Sequence, residues 1–147
     1  MLSIGRVGHL FVFAPLLFAL QLGSVSAQAM ISPGQADVVQ AQQNHQEVNF
    51  LEVKNAQVTQ VLPDDLVGSK HQKWIVQLED GSSLLCVYNS DMGVRIPVQV
   101  GQTMSLGGQY IWDRGGGLIH WLHADPEHRR PDGYVLLNGT TYGKSAF

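Results

Sequence analysis

The sequence predicts a mainly β fold, a small five-stranded barrel with a short N-terminal helix or leader and a small C-terminal hairpin. Three observations predict it. From Val48 onward the chain is a series of short β-type runs separated by turn residues. Asp80-Gly81 and Asn138-Gly139 are strong hairpin dipeptides. Gly107-Gly108 lies inside one of the runs, where it permits the sharp coiling that a closed sheet needs.

The chain has 147 residues and begins with a secretory pattern. Met1 to His9 carries one firm positive charge, Arg6, and Leu10 to Leu22 is nearly all apolar. Gly23 to Ala29 is a run of small residues that suits cleavage after Ala27 or Ala29. The apolar run is shorter than the roughly 20 residues that a membrane span needs. No second one follows, so no span is expected in the mature chain. Residues 1–29 are thus expected to be a cleavable signal, and the protein periplasmic or secreted. Removing 27 or 29 residues leaves 120 or 118, enough for one domain with a real core. Losing Arg6 takes the net charge from −3 to −4, and this mild acidity gives no indication of a nucleic-acid surface. The single cysteine, Cys86, excludes an internal disulfide and lies in an apolar run, where it reads as a packed thiol.

Residues 30–47 read as a leader or short helix. Ser32 is the expected N-cap, Pro33 the first helical residue and Gln35 the partner that closes a capping box. Residues 48–147 form the β domain, with expected strands at Val48–Leu62, Gln72–Glu79, Ser82–Asn89, Thr103–Trp112 and Gly117–His123. A bulge is expected near Lys54-Asn55. Tyr134–Leu137 and Thr141-Tyr142 add the C-terminal hairpin.

A two-residue turn at Asp80-Gly81 pairs Trp74 with Val87. It gives Trp74, Val76, Leu78, Leu85 and Val87 to the core face. Pairing Trp112 with Leu118 gives Met104, Leu106, Tyr110, Trp112, Leu118 and Leu122 to the core, with His120 pointing inward beside Tyr110. The strand count, and the run Val100 to Gly107, resemble an OB-fold, a small Greek-key barrel with strand order one-two-three-five-four-one. A β-sandwich fragment is the competing architecture.

In that order the start of strand two, the end of strand three and the end of strand five meet. His71, Gln72, Tyr88, Asn89, Trp121, His123 and Asp125 are therefore the expected ligand-binding group. Three readings compete. Metal binding, zinc being the natural ion, would use His71, His123 and Asp125. Metal-free hydrolysis would use His71 or His123 as base, with Arg95 or Arg130 stabilising an anion. The third reading is a polar network or a binding patch for a small-molecule or polymeric ligand, with no cofactor. The sequence favours this third reading, because polar clusters more often bind or brace than catalyse. Trp121 is either a stacking platform or covered by Pro131 to Tyr142.

Several motifs together carry a resemblance. They are Val61-Leu62-Pro63-Asp64-Asp65, Gly68 to Trp74, Gly107 to Trp112, Gly116 to Trp121, and Asp125-Pro126 through Pro131-Asp132-Gly133-Tyr134. The chain resembles domain-of-unknown-function family 3465 from about Ala56 to Tyr142. These are small exported bacterial proteins, so the resemblance implies a bacterial periplasmic or secreted protein and implies no activity. Tyr88 and Arg130 stand where the family pattern has histidines, which weakens the metal reading for this chain.

Overall fold

The computed structural model describes residues 31–144. The expected signal over residues 1–29 lies outside them. Where a leader or short helix is expected, the described residues open with a helix, α1, Pro33–Gln43. Ser32 precedes it with extended backbone, but its side chain makes no capping bond. The expected capping box is not formed, because Gln35 turns inward. Its amide donates to the Lys54 carbonyl and its oxygen accepts from the Glu79 backbone N–H.

Seven strands follow: β1 Val48–Asp65, β2 His71–Gln77, β3 Ser83–Asn89, β4 Thr103–Ile111, β5 Leu118–His120, β6 Tyr134–Leu137 and β7 Thr140–Tyr142. The first five close a ring in the order β1-β2-β3-β5-β4, with β4 returning to β1. Every pair is antiparallel except β3–β5. β1 reaches two partners because it is long and bulged. One irregularity falls at the expected Lys54-Asn55, where Asn55 has a positive φ of 56°. β1 also runs through Pro63 to Asp65, beyond its expected stop. β6 pairs with the first half of β4, and β7 pairs with β6 across Asn138-Gly139, both at positive φ as the expected hairpin turn requires.

The two ring hairpins with an expected register, β2–β3 and β4–β5, each differ from it by one residue. In β2–β3, Trp74 faces Cys86, not Val87. The Leu78 N–H bonds the Ser82 carbonyl, so Glu79, Asp80 and Gly81 form a three-residue loop with Gly81 at a φ of 84°. This is the type I turn with a left-handed third residue, which spends one residue more than a two-residue turn. The slip exchanges the faces of β3: Leu84, Cys86 and Tyr88 enter the core, while Leu85 and Val87 leave it. In β4–β5, Ile111 faces Leu118 and Tyr110 faces Ile119. The Asp113 carboxylate accepts from the Gly115 and Gly117 N–H groups and tightens that turn. Ile119 therefore points inward, and His120 does not.

The core comprises Leu51, Val53, Val58, Trp74, Val76, Leu84, Met104, Leu106, Tyr110, Ile119, Leu122 and Val135, with Val38 and Val39 of α1 packed on it. Cys86 is the expected packed thiol, and burial pushes its pKa well up. The ring has two plugs. At the hairpin-turn end, Gln35 holds α1 as above, and Gln42 donates to the Ser83 and Gly116 carbonyls. At the other end lies the loop between β3 and β4. Its Ile96 is fully buried and joined at both backbone atoms to the Gln72 side chain. Tyr88 donates from its hydroxyl to the Val94 carbonyl of the same loop. Among the described residues no helix is long and apolar enough to cross a membrane.

Candidate functional site

The outer face of the ring carries what the register slips left outside. Along β3 these are Val87 and Asn89, along β2 His71, and along β5 His120. β5 stops at His120 because Trp121 takes a φ of 56°, a genuine outlier for a bulky residue. That turn sends Leu122 into the core and leaves His123 at the cavity wall. The segment is held on both sides: the Gly133 N–H bonds the His123 carbonyl and the Ala124 N–H bonds the Gly143 carbonyl. Gly133 is required here, since a Cβ would sit 1.7 Å from the Trp121 carbonyl oxygen.

These residues line a cavity of about 490 Å³. Its walls are His71, Val87, Asn89, Met92, His120 and Trp121 on the strand side. His123, Asp125, Pro126, Glu127 and Arg129 complete it from the following loop. Volume and lining fit a ligand site: apolar surface with a few converging polar groups.

Five of the seven residues expected to bind ligand are here: His71, Asn89, Trp121, His123 and Asp125. Gln72 and Tyr88 are not. Both are buried and face the opposite way, and both brace the Ile96 loop, because the β2–β3 slip reverses β3 and the Gln72 amide satisfies Ile96. Arg95, expected as an anion stabiliser, is exposed and paired with Asp64, away from the cavity. Arg130 lies behind the wall. Its guanidinium covers Trp121 at 4.0 Å from the ring centroid and donates 3.0 Å to Gln109 Oε1. His123 stands against the same indole, ring centroids 5.2 Å apart. The Trp121 ring is thus packed by Arg130 and His123, while Gly133 of the Pro131 to Tyr142 segment lies against its carbonyl.

Sequence reasoning missed His120. It lies opposite Gln109 across β4–β5, its Nε2 3.1 Å from Gln109 Oε1. Burial, with the nearby charges of Arg130, His123 and His71, lowers its pKa and favours the neutral ring. The signal that could have found it is the Asp113 to Gly117 turn, whose extra residue sets the slip. Asp125 is committed to its loop. Its carboxylate accepts from the Glu127, Arg129 and Arg130 backbone N–H groups, and these bonds hold its pKa below the usual carboxylate range. With Asp125 so occupied, His71, His123 and Asp125 share a cavity without forming a ligand set. Among the described residues no three His, Cys, Asp or Glu side chains are grouped closely enough to hold a metal ion.

The family model described as "Protein of unknown function (DUF3465)" matches residues 20–143, most of the chain. The chain belongs to the DUF3465 family. The match takes in α1, all seven strands and every cavity residue of this DUF3465 member. No curated protein and no solved structure matches it.

Proposed function

We propose that this DUF3465 protein is an exported binding module on an OB-type barrel, and that its ligand enters the cavity walled by His71, Asn89, His120, Trp121 and His123. The order β1-β2-β3-β5-β4-β1 with a parallel β3–β5 pair supports the OB reading. The basic-hydrophobic-small pattern of residues 1–29 supports export to the periplasm or beyond. One observation carries the binding reading. Three imidazoles and an indole meet at one cavity, His71 from β2 and His120, Trp121 and His123 from the end of β5, and none is needed to close the ring, which α1 and the Ile96 loop already plug.

The test is thermal unfolding of the mature chain against a panel of glycans, nucleotides, peptides and small metabolites. A ligand at about 100 times its Kd adds about 2.7 kcal/mol of stability without being turned over. His123→Ala should abolish that gain while leaving the fold intact. If both His71→Ala and His123→Ala unfold the protein, the cluster is structural and the reading fails.

A second reading is a small secreted hydrolase acting on phosphodiesters or another polymer, with or without a divalent metal. The neutral His120 and the strained Trp121 backbone favour it. Turnover lost in His71→Ala or His123→Ala, with the fold kept, would select it. So would a stoichiometric metal in the purified mature protein.

A further inference from the structure

Gln109 Oε1 receives two groups at once: Arg130 NH1 at 3.0 Å and His120 Nε2 at 3.1 Å. A guanidinium only donates, so the Gln109 atom it meets is the amide oxygen, and this decides which way the amide points. An amide oxygen only accepts, so His120 Nε2 carries a hydrogen. In the neutral ring that leaves Nδ1 a bare acceptor. His123 shows the mirror case. Its Nδ1 lies 2.8 Å from the Ala124 carbonyl oxygen, which also only accepts. Nδ1 therefore carries a hydrogen, and in the neutral ring Nε2 is bare. Both rings line the same cavity, and among the described residues neither bare nitrogen is hydrogen-bonded.

We infer that the cavity is a hydrogen-bond-accepting site. His120 Nδ1 and His123 Nε2 receive O–H or N–H groups of a neutral ligand, and Gln109 with Arg130 are positioning residues that set the His120 tautomer. The ligand clause rests on the binding reading above; the tautomer clause does not. The charged groups around His120 agree with a neutral ligand. Arg130 is engaged with Gln109 and stacked on Trp121, and Arg129 is paired with Glu127. The Asp125 carboxylate is filled by backbone N–H groups. His71 and His123 are the remaining titratable neighbours of His120, and both add to the cost of protonating it. No engaged pair is left to meet an anion, whereas two lone pairs are presented to a donor. Val87, Met92, Trp121 and Pro126 give the same ligand an apolar body.

The experiment is long-range ¹H–¹⁵N NMR of the imidazoles in the mature protein at pH 7.5, first with nothing added. His120 should appear as the Nε2–H tautomer and His123 as the Nδ1–H tautomer, with His120 titrating below its ordinary value of 6.5. Gln109→Leu should turn His120 into a mixture of tautomers, and Gln109→Glu should restore Nε2–H and raise its pKa. His120 found as Nδ1–H, or unmoved in Gln109→Leu, overturns the tautomer assignment. Three probes then test the ligand class: phenol, anisole (the same shape without the O–H) and benzoate. Phenol should shift the bare nitrogens of His120 or His123 in a saturable way, and the other two should not. Anisole or benzoate doing as much as phenol overturns the neutral-donor assignment. The first arm is read without any ligand, so its failure is distinct from failure of the binding reading.

Discussion

The plugs of the ring and the cavity on its flank use the same kinds of side chain in opposite ways. At the plugs, Gln35 and Gln72 are joined to backbone groups, Lys54 and Glu79 and both atoms of Ile96, and Gln42 to the Ser83 and Gly116 carbonyls and the Ser82 hydroxyl. A buried backbone group must be satisfied whatever the protein does, so these glutamines serve the fold. At the cavity, Gln109 is joined to two side chains that titrate or carry charge, His120 and Arg130. The backbone there gains nothing from it. Here the amides that answer the main chain hold structure, and the one that answers only an imidazole and a guanidinium sets a protonation state.

Five substitutions and an acid titration test that contrast. The largest effect is expected where the two regions are mechanically joined. Gly133→Ala would drive a Cβ into the Trp121 carbonyl and against His123 N. Destabilisation of about 3 kcal/mol in urea unfolding is expected, with the cavity lost together with the fold. Next is the plug. Gln35→Ala strands the Lys54 carbonyl and the Glu79 N–H and should cost about 2 kcal/mol, whereas Gln109→Leu on the outer face should cost well under about 1 kcal/mol. Equal costs would erase the distinction between the two sorts of glutamine.

Acid should then act on the cavity before the plugs. Unfolded His120 titrates near its ordinary value of 6.5 and the folded group lower, so between those two values the unfolded chain binds more protons. Stability is present in full above pH 6.5 and is lost as pH falls toward the folded value. His120→Gln should remove part of that slope between pH 7 and 5. The Asp125 carboxylate has the same sign but acts only below its ordinary 3.8. The smallest stability effect is expected for His71→Ala, within about 0.5 kcal/mol, because its ring lies at the cavity wall and not in the core. Its effect should show in ligand-dependent stabilisation instead. A His71→Ala protein that loses several kcal/mol would place the histidine among the structural residues.

The strands and the C-terminal hairpin were legible because they rest on local signals, turn dipeptides, β-type runs and a bulge at Lys54-Asn55, while the strand order came from the OB resemblance. The cavity was half legible. His71, Asn89, His123 and Asp125 follow from strand ends alone, since any register brings those ends together. Tyr88 and His120 depend on which face each residue takes, and a slip of one residue reverses it, whereas Gln72 shares the core face of Trp74 in either register and is held there by Ile96. Asp80-Gly81 is compatible with a two-residue turn and with a three-residue one, and its sequence does not choose between them. The choice is made by burial, because only the longer loop brings Leu84, Cys86 and Tyr88 inside opposite Trp74 and Val76.

Family membership, the β class, the single thiol and the histidine-bearing strand ends were thus determined by the sequence itself, since each is written in residues that are neighbours in the chain. The tertiary structure alone decided that Tyr88 braces the core and that His120 belongs to the cavity. Only there does Gln109 meet His120 and Arg130 and set which imidazole nitrogen is left free. The physical reason is range. A turn or a signal is set by adjacent residues, but the facing of a strand is set by the whole core it packs against, and a tautomer by a partner on another strand.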